Sequence, residues 1–426
     1  MAHIVPNKII SGGSVDLLRS HTSSPIRNIQ AGTTIAILDA VLVTGFGQVT
    51  LSSLTIDSSG IATAISNNHG YKQIHTVILI EGANQSSING EWRITEITDS
   101  NTVKFDAFES GLTSTICSGT NITMKVAPLG WNKVFNTLNN FISVYQSPSI
   151  YSRRNFLRVD DTDSLAYNST GSTYFRGFET MSSSQDIGTY PFPLMSVATR
   201  GVGLRKCFVG SPSQYITSNA DNISWTCVGN DQSFYFSSHT LWGDNSIFRN
   251  TVFFGDLVSY VPGDIGATGL SGELGITNNV TGMGSFSNLN TFTYNHCPRD
   301  SSKQHTTSSK RFKLINYPGF STAINTILGG SSFTEMFSFN NQSILYKPLF
   351  ISDEAYTTSI RGEMPGMAVL LNNLTLKTPR YEPGAVLSID NEKWVYMPVT
   401  WHDGSSTLYY GYYLLSLDKN WNESIL

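Results

Sequence analysis

NFLRVDDTDSLAYNSTGSTYFRGFETMSSSQDIGTYPFP, residues 155–193, carries the densest strand signal in the chain. Phe156, Leu157 and Val159 are aromatic, aliphatic and β-branched neighbours, Asp160 to Ser164 supplies turn residues, and Tyr174, Phe175 and Phe178 start a second apolar run, which together predict a β-hairpin. The strands carry Arg158 and Arg176, with Glu179 just after them. Pro191-Phe192-Pro193 closes the segment, and proline fixes φ at two of those three positions. Such an edge suits a contact surface, or it is an ordinary sheet edge with solvated charges. A guanidinium pairs bidentately with a carboxylate where lysine does not. Because an unpaired buried charge is costly, pairing that braces the hairpin is the preferred role over an interface for Arg158, Arg176 and Glu179.

The 426 residues exceed what one core holds, so two or more domains are expected. Only 14% of residues are charged, against a globular norm of about 25%. The surface is therefore polar through hydroxyl and amide groups, which suits a long-lived assembly better than an enzyme that steers a charged substrate. A net charge of −4 leaves no footprint for direct nucleic-acid binding. The one basic run, Arg299 to Lys313, lacks periodicity and is expected to be a mobile solvated loop. Cys117, Cys207, Cys227 and Cys297 form no paired motif, so neither zinc nor a disulfide framework is indicated and free buried thiols are expected. The start, MAHIVPNKII, lacks a secretory pattern and no run approaches 18 apolar residues, which predicts synthesis in the cytosol without a membrane-spanning segment.

Residues 1–32 have no clear period and read as a docking arm or irregular lead-in. TTIAILDAVLV, residues 33–43, predicts an amphipathic helix, with Thr33 or Thr34 as cap and Gly45 as stop. From residue 48 to 127 six short alternating strands predict a small barrel or sandwich, with Asn89-Gly90 as a type I′-like turn. Phe135, Leu138, Phe141 and Ile142 suggest a second short helix. The remainder predicts a large, mainly antiparallel, sandwich-like β-domain. The fold class is thus mainly β, with one or two short helices. Gly263 to Gly275 has glycine at every third position but too few triplets for collagen, and is expected to be a flexible surface loop.

The chain has no nucleophile elbow, phosphate loop, zinc helix or dinucleotide fingerprint. No catalytic, cofactor-binding or metal-binding residue is assigned. Asp160, Asp161 and Asp163 superficially resemble a calcium loop, but Ala166 and Ser172 stand where Gly and Glu are needed, so an Asx-type turn is favoured. A glycosidase-type carboxylate pair would draw on Glu179, Asp186, Asp256 and Asp264, each of which is otherwise a turn or ion-pair residue. Trp401, with Tyr410 and Tyr412 and their neighbours Tyr409 and Tyr413, could stack on sugar rings, although strand alternation explains the tyrosines more simply.

LDAVLVTGFG (38–47), GWNKVF (130–135), FLRVDDT (156–162), FRGFETM (175–181), DIGTYPFP (186–193), FFGDLVSYVPGD (253–264) and RGEMPGM (361–367) together resemble a family of tailed-bacteriophage virion proteins, over about residues 33–385. In that family the first motif runs almost directly into the second. The resemblance therefore implies that residues 48–127 are an inserted module within a body of residues 33–47 plus 128–426, preceded by the arm. It also implies a non-enzymatic virion component in the tail, neck, baseplate or capsid decoration, contacting other virion proteins. Virion assemblies are symmetric, so a homo-trimer or homo-hexamer is expected. The competing expectation is a receptor- or carbohydrate-binding virion module of a fibre, spike or capsid surface.

Overall fold

A computed structural model describes residues 3–12, 19–27, 30–162, 172–184, 188–192, 202–205, 224–242, 246–272, 294–303, 312–315, 334–337, 343–353, 360–370, 384–389, 391–402 and 408–423. The chain is mainly β, with antiparallel sheets throughout. The opening arm is more ordered than its composition suggests. It contains β1 (Lys8–Gly12), fully buried, and residues 3–8 lie in the seam between two sheet systems. Lys8 Nζ bonds Glu91 Oε1 at 2.5 Å and the Pro128 carbonyl at 2.6 Å. Asn7 donates to the Lys419 carbonyl at 2.6 Å.

The helix predicted at residue 33 forms: α1 (Thr33–Leu38) continues as a wider π-helical turn over Asp39–Thr44. Ile35, Ile37, Leu38, Val41 and Leu42 bury its apolar face. Its cap is not Thr33 or Thr34. The Thr34 N–H donates instead to the buried Asp161 carboxylate at 2.9 Å, so an acceptor 127 residues away replaces the local cap. Gly45 ends the turn at φ 70, and a Cβ there would collide with the Val126 carbonyl. Glycine is required by both the angle and the approach.

That approach marks where the chain enters and leaves a closed barrel. β2 (Phe46–Ile56), β3 (Ile61–Ser66), β4 (Val77–Glu81), β5 (Gly90–Ile97), β6 (Thr102–Asp106) and β8 (Thr123–Val126) close in the order β3-β6-β5-β4-β8-β2-β3, with the two-residue β7 (Thr115–Ile116) added to β2. Alternation drives closure: Leu54 and Ile56, Ala62 and Ala64, Ile78 and Ile80, Trp92 and Ile94, and Val103 and Phe105 all point inward. Phe46 pairs with Val126, and Leu129 N–H returns to the Val41 carbonyl at 2.8 Å. Asn89-Gly90 is not a type I′ turn, because Asn89 has φ −69, whereas that turn needs φ above zero there. The Asn89 side chain instead clasps the Ala83 backbone in both directions, at 3.0 and 2.7 Å. With entry and exit side by side, replacing residues 48–127 by a short linker is expected to leave a body that melts cooperatively. An insoluble product would contradict that.

Beyond the barrel, β9 (Asn132–Asn136), β10 (Ile142–Gln146), β11 (Phe156–Asp160), β12 (Ser172–Phe178) and β13 (Val202–Arg205) form a five-stranded meander. The second helix expected over residues 135–142 is absent. Those residues make the β9–β10 hairpin, turned at Asn140 with φ 58 and closed by Thr137 N–H to the Ile142 carbonyl at 3.0 Å. The Asn139-Asn140 turn chemistry overrides a chance helical spacing.

β14 (Trp225–Gly229), β15 (Ser233–Trp242), β16 (Ser246–Asp256), β18 (Thr268–Gly272) and β19 (Tyr294–His296) join β1 in a six-stranded sheet, while β17 (Val258–Ser259) leaves it for the last sheet. That last sheet contains β20 (Phe312–Ile315), β21 (Thr334–Phe337), β22 (Ser343–Asp353), β23 (Gly362–Leu370), β24 (Val386–Ile389), β25 (Glu392–His402) and β26 (Leu408–Ser416). The six-stranded sheet is the middle layer, and alternation sorts its side chains. Phe234, Phe236, Val252 and Phe254 join the core shared with the helix and the meander. Val228, Tyr235 and Phe253 join the core shared with Met367, Val395, Leu415 and Trp421 of the last sheet and its tail. Both faces being covered, consecutive residues of its strands are buried, apolar in FYF at 234–236 and small and polar at Thr226, Ser237 and Thr251. The glycine-rich stretch is not a surface loop: Asp264, Ala267 and all of β18 are buried, while residues 273–275 lie outside the described set.

Candidate functional site

The predicted hairpin is β11–β12, and its register sets Arg158 directly opposite Arg176. Like charges at directly opposed positions repel. Arg158 is held by the Ser184 carbonyl at 3.2 Å and Asp160 at 3.4 Å. Arg176 is buried, and its guanidinium is pushed down to about 10 by burial first and by Arg158 second. Glu179 is bound bidentately by Arg299 Nε and Nη2 at 2.6 and 2.8 Å, a partner 120 residues further on. The expected three-residue brace is thus a cross-strand arginine pair beside a separate Glu179–Arg299 clamp. Arg299 also lies 5.8 Å above the Tyr190 ring. It belongs to the run expected to be a mobile solvated loop, yet it is ion-paired and the adjacent Asp300 is buried; residues 304–311 lie outside the described set.

Phe192, centre of the Pro-Phe-Pro element, is buried and exchanges two backbone hydrogen bonds of 2.9 Å with Gly177. Its ring covers Gly177 so closely that a Cβ there would collide with it, and it stacks on Phe254 of the middle sheet at 6.3 Å. The element plugs the meander into the neighbouring layer. Pro191 is half-buried beside it, and Pro193 lies outside the described residues.

A second cluster, which the sequence reading did not single out as a unit, centres on Arg361. Its Nε and Nη2 bond Asp264 Oδ2 and Oδ1 at 2.8 and 2.9 Å, and Nη1 bonds Asp353 Oδ1 at 2.8 Å and the Arg299 carbonyl at 3.0 Å. All three side chains are buried: 2% exposed for Arg361, 0% for Asp264 and 5% for Asp353. Burial alone would raise the Asp264 carboxyl, but the hydrogen bonds and charge of Arg361 outweigh it and hold it below the usual range. Ser259 and the Gly266 N–H complete the shell of Asp264 at 2.8 and 3.0 Å. The same logic recurs at the helix, where Asp39 accepts Lys133 Nζ at 2.8 Å and the Tyr145 hydroxyl at 2.8 Å.

Asp161 is buried, caps α1 and accepts Thr173 at 2.6 Å, while Asp160 accepts the Thr162 N–H in an Asx-type turn. Asp163 and Asp186 lie outside the described residues. Among the described residues no three His, Cys, Asp or Glu side chains gather as metal ligands, and no helix is long and apolar enough to cross a membrane. Cys117, Cys227 and Cys297 are buried free thiols; Cys207 is outside the described set.

Of the carboxylates considered for acid–base work, Asp256 has an upward shift: burial pushes it up to about 6, against the Arg153 N–H at 3.0 Å. Its folded pKa exceeds its unfolded one, so its contribution is fully present below the unfolded value and is lost as pH rises through about 6. Asp256→Asn is therefore expected to gain on wild type between pH 4 and 7, reaching on the order of 1–2 kcal/mol at pH 7. Urea titrations at the two pH values check this, and a gain confined to pH 4 would contradict it.

For the aromatic group, the β25–β26 register sets Trp401 opposite Tyr409, and Tyr410 and Tyr412 opposite Thr400 and Pro398. Tyr413 is a core residue, 4% exposed, and its hydroxyl bonds Thr251 at 3.1 Å.

No protein-family model matches the chain, and no curated protein matches it. Among solved structures, the chain titled "Phage phi92 endosialidase" aligns at 8% identity and a TM-score of 0.17. The alignment covers 89% of this chain and 53% of that one, so this chain spans about half of that protein's length. A superposition that loose transfers neither fold nor activity.

Proposed function

We propose that the chain is a non-enzymatic structural component of a tailed-bacteriophage virion, present in multiple copies in the tail, neck or baseplate and contacting other virion proteins. The observation that carries this reading is where the motif charges go. Asp39 of LDAVLVTGFG meets Lys133 of GWNKVF, Asp264 of FFGDLVSYVPGD meets Arg361 of RGEMPGM, and Glu179 of FRGFETM meets Arg299. Residues distant in sequence are spent on ties between elements, as a load-resisting scaffold needs. A bidentate arginine clamp also leaves a carboxylate poorly placed to donate or accept a proton during bond cleavage. The charge-poor surface rich in hydroxyl and amide groups supports wide, wet, permanent contacts. Mass spectrometry of purified particles tests the proposal. The chain is expected among the virion proteins, and its absence from intact particles would overturn the assignment.

A further inference from the structure

Two exposed surfaces of opposite character lie on different parts of the chain. The first is the loop between β10 and β11, residues 147–155. It displays Ile150 at 80% and Tyr151 at 82% exposure, with Arg153 and Arg154 exposed beside them. The loop is braced from beneath: the Arg153 N–H donates to Asp256 at 3.0 Å, the Arg154 N–H to Ser152 Oγ at 3.0 Å, Gln146 to the Arg154 carbonyl at 2.5 Å, and Asn155 to Thr268 at 2.7 Å. Arg154 holds φ 55 within this frame. Among the described residues neither guanidinium enters an ion pair within 4.0 Å, whereas those of Arg158, Arg299 and Arg361 do. A hydrogen-bonded backbone presenting tyrosine, isoleucine and two exposed arginines has the composition of an interface hot spot.

The second surface is one end of the barrel. Phe108 and Ile116 are 70% and 79% exposed there, next to Glu109, Asp106 and Asp57. The loops carrying them are knitted together, with Ser114 N–H to the Asp57 carbonyl at 3.0 Å and Ala107 N–H to the Gly60 carbonyl at 2.9 Å. Glu109 contacts His3 at 2.8 Å and remains 73% exposed. From Phe46 to Val126 the barrel carries seven carboxylates against four basic side chains, a net of −3 within a chain of −4.

We propose that the basic Ile150–Arg154 loop of one copy docks on the acidic Phe108–Ile116 barrel end of a second copy of this chain. Each surface pairs exposed apolar side chains with charge of one sign, and the signs are opposite, so apolar contact and electrostatic complementarity act together. Because the two surfaces differ, the contact is heterologous. Repetition closes into a ring or continues as a stack, the kind of arrangement a multi-copy virion component requires. The inference rests on the multi-copy reading above and supplies its contact.

Sedimentation velocity on the full chain tests it. Wild type is expected to self-associate. A loop variant, Arg153→Glu/Arg154→Glu, and a barrel variant, Glu109→Lys/Ile116→Lys, should each weaken association about 100-fold or more while melting like wild type. Tyr151→Ala, which leaves charge unchanged, should weaken it about tenfold and serves if a charge variant fails to fold. The loop and barrel variants mixed in equal amounts should associate again, since the intact loop of one meets the intact barrel end of the other and the reversed charges of the altered halves are themselves complementary. A wild type that stays monomeric at its highest soluble concentration overturns the contact. So does an oligomer unchanged in both variants, or a loop that binds anionic glycans while its variants assemble normally. An oligomer that survives the substitutions refutes this contact and leaves the multi-copy reading standing, whereas absence from particles refutes that reading whatever the sedimentation shows.

Discussion

Arg361→Met is expected to cost about 3–5 kcal/mol, because it strands two buried carboxylates, Asp264 and Asp353, without their common cation. Methionine fills much of the volume, so the loss is electrostatic rather than a cavity. The triple variant Arg361→Met/Asp264→Asn/Asp353→Asn should recover at least half of it, since the new amides can accept from the Gly266 N–H and from Ser301 while the NH2 at residue 264 donates to the Ser259 hydroxyl oxygen. Urea denaturation of the two variants checks this at neutral pH. Acid adds a sign: the Asp264 carboxyl is depressed in the folded chain, so its contribution is present above the unfolded value and is lost as pH falls through the folded one. The gap between wild type and Arg361→Met should therefore narrow in strong acid. A single variant as stable as wild type would show that the cluster does not tie β23 to the loop that follows β17.

Asp161→Ala ranks second, at about 2–4 kcal/mol. One carboxylate oxygen receives the Thr34 N–H at the start of α1 and the other receives the Thr173 hydroxyl on β12, so the substitution removes a helix cap, leaves the buried Thr34 N–H unmet and leaves Thr173 only the Thr34 hydroxyl at 2.9 Å. A negative charge beside the first turn also complements the helix dipole. Asp161→Asn keeps one acceptor and should lose about half as much. Loss of helix α1 packing would be visible in hydrogen exchange at Ala36, whose N–H bonds the Gly32 carbonyl at 2.9 Å. Unchanged exchange there in Asp161→Ala would contradict the capping role.

How much of this was legible in sequence follows from where the information lies. The barrel strands were readable because each has one buried face, and period-two alternation records burial locally. α1 was readable from its apolar spacing, but its cap was not, because the acceptor sits 127 residues away. The same distance hid the Glu179–Arg299 clamp and the Arg361 cluster. A usable signal did exist: charges are scarce in this chain, so Arg361 and Glu363 at the head of a long apolar strand, and Asp264 beside a proline-glycine corner, were candidates for buried pairing. Glycine misled in one place. The triplet spacing at residues 263–275 suggested a loop, whereas β18 is packed between β16 and β19 at its second and fifth residues among others. There the small residues let strands approach rather than let the chain move.

Cryo-electron microscopy of purified particles, fitted with this fold, tests the central claim most directly. The account predicts several copies related by a symmetry axis, each with its five-stranded meander clamped through Glu179 and Arg299. Particles of intact morphology with no density into which the barrel and the layered body fit would contradict it.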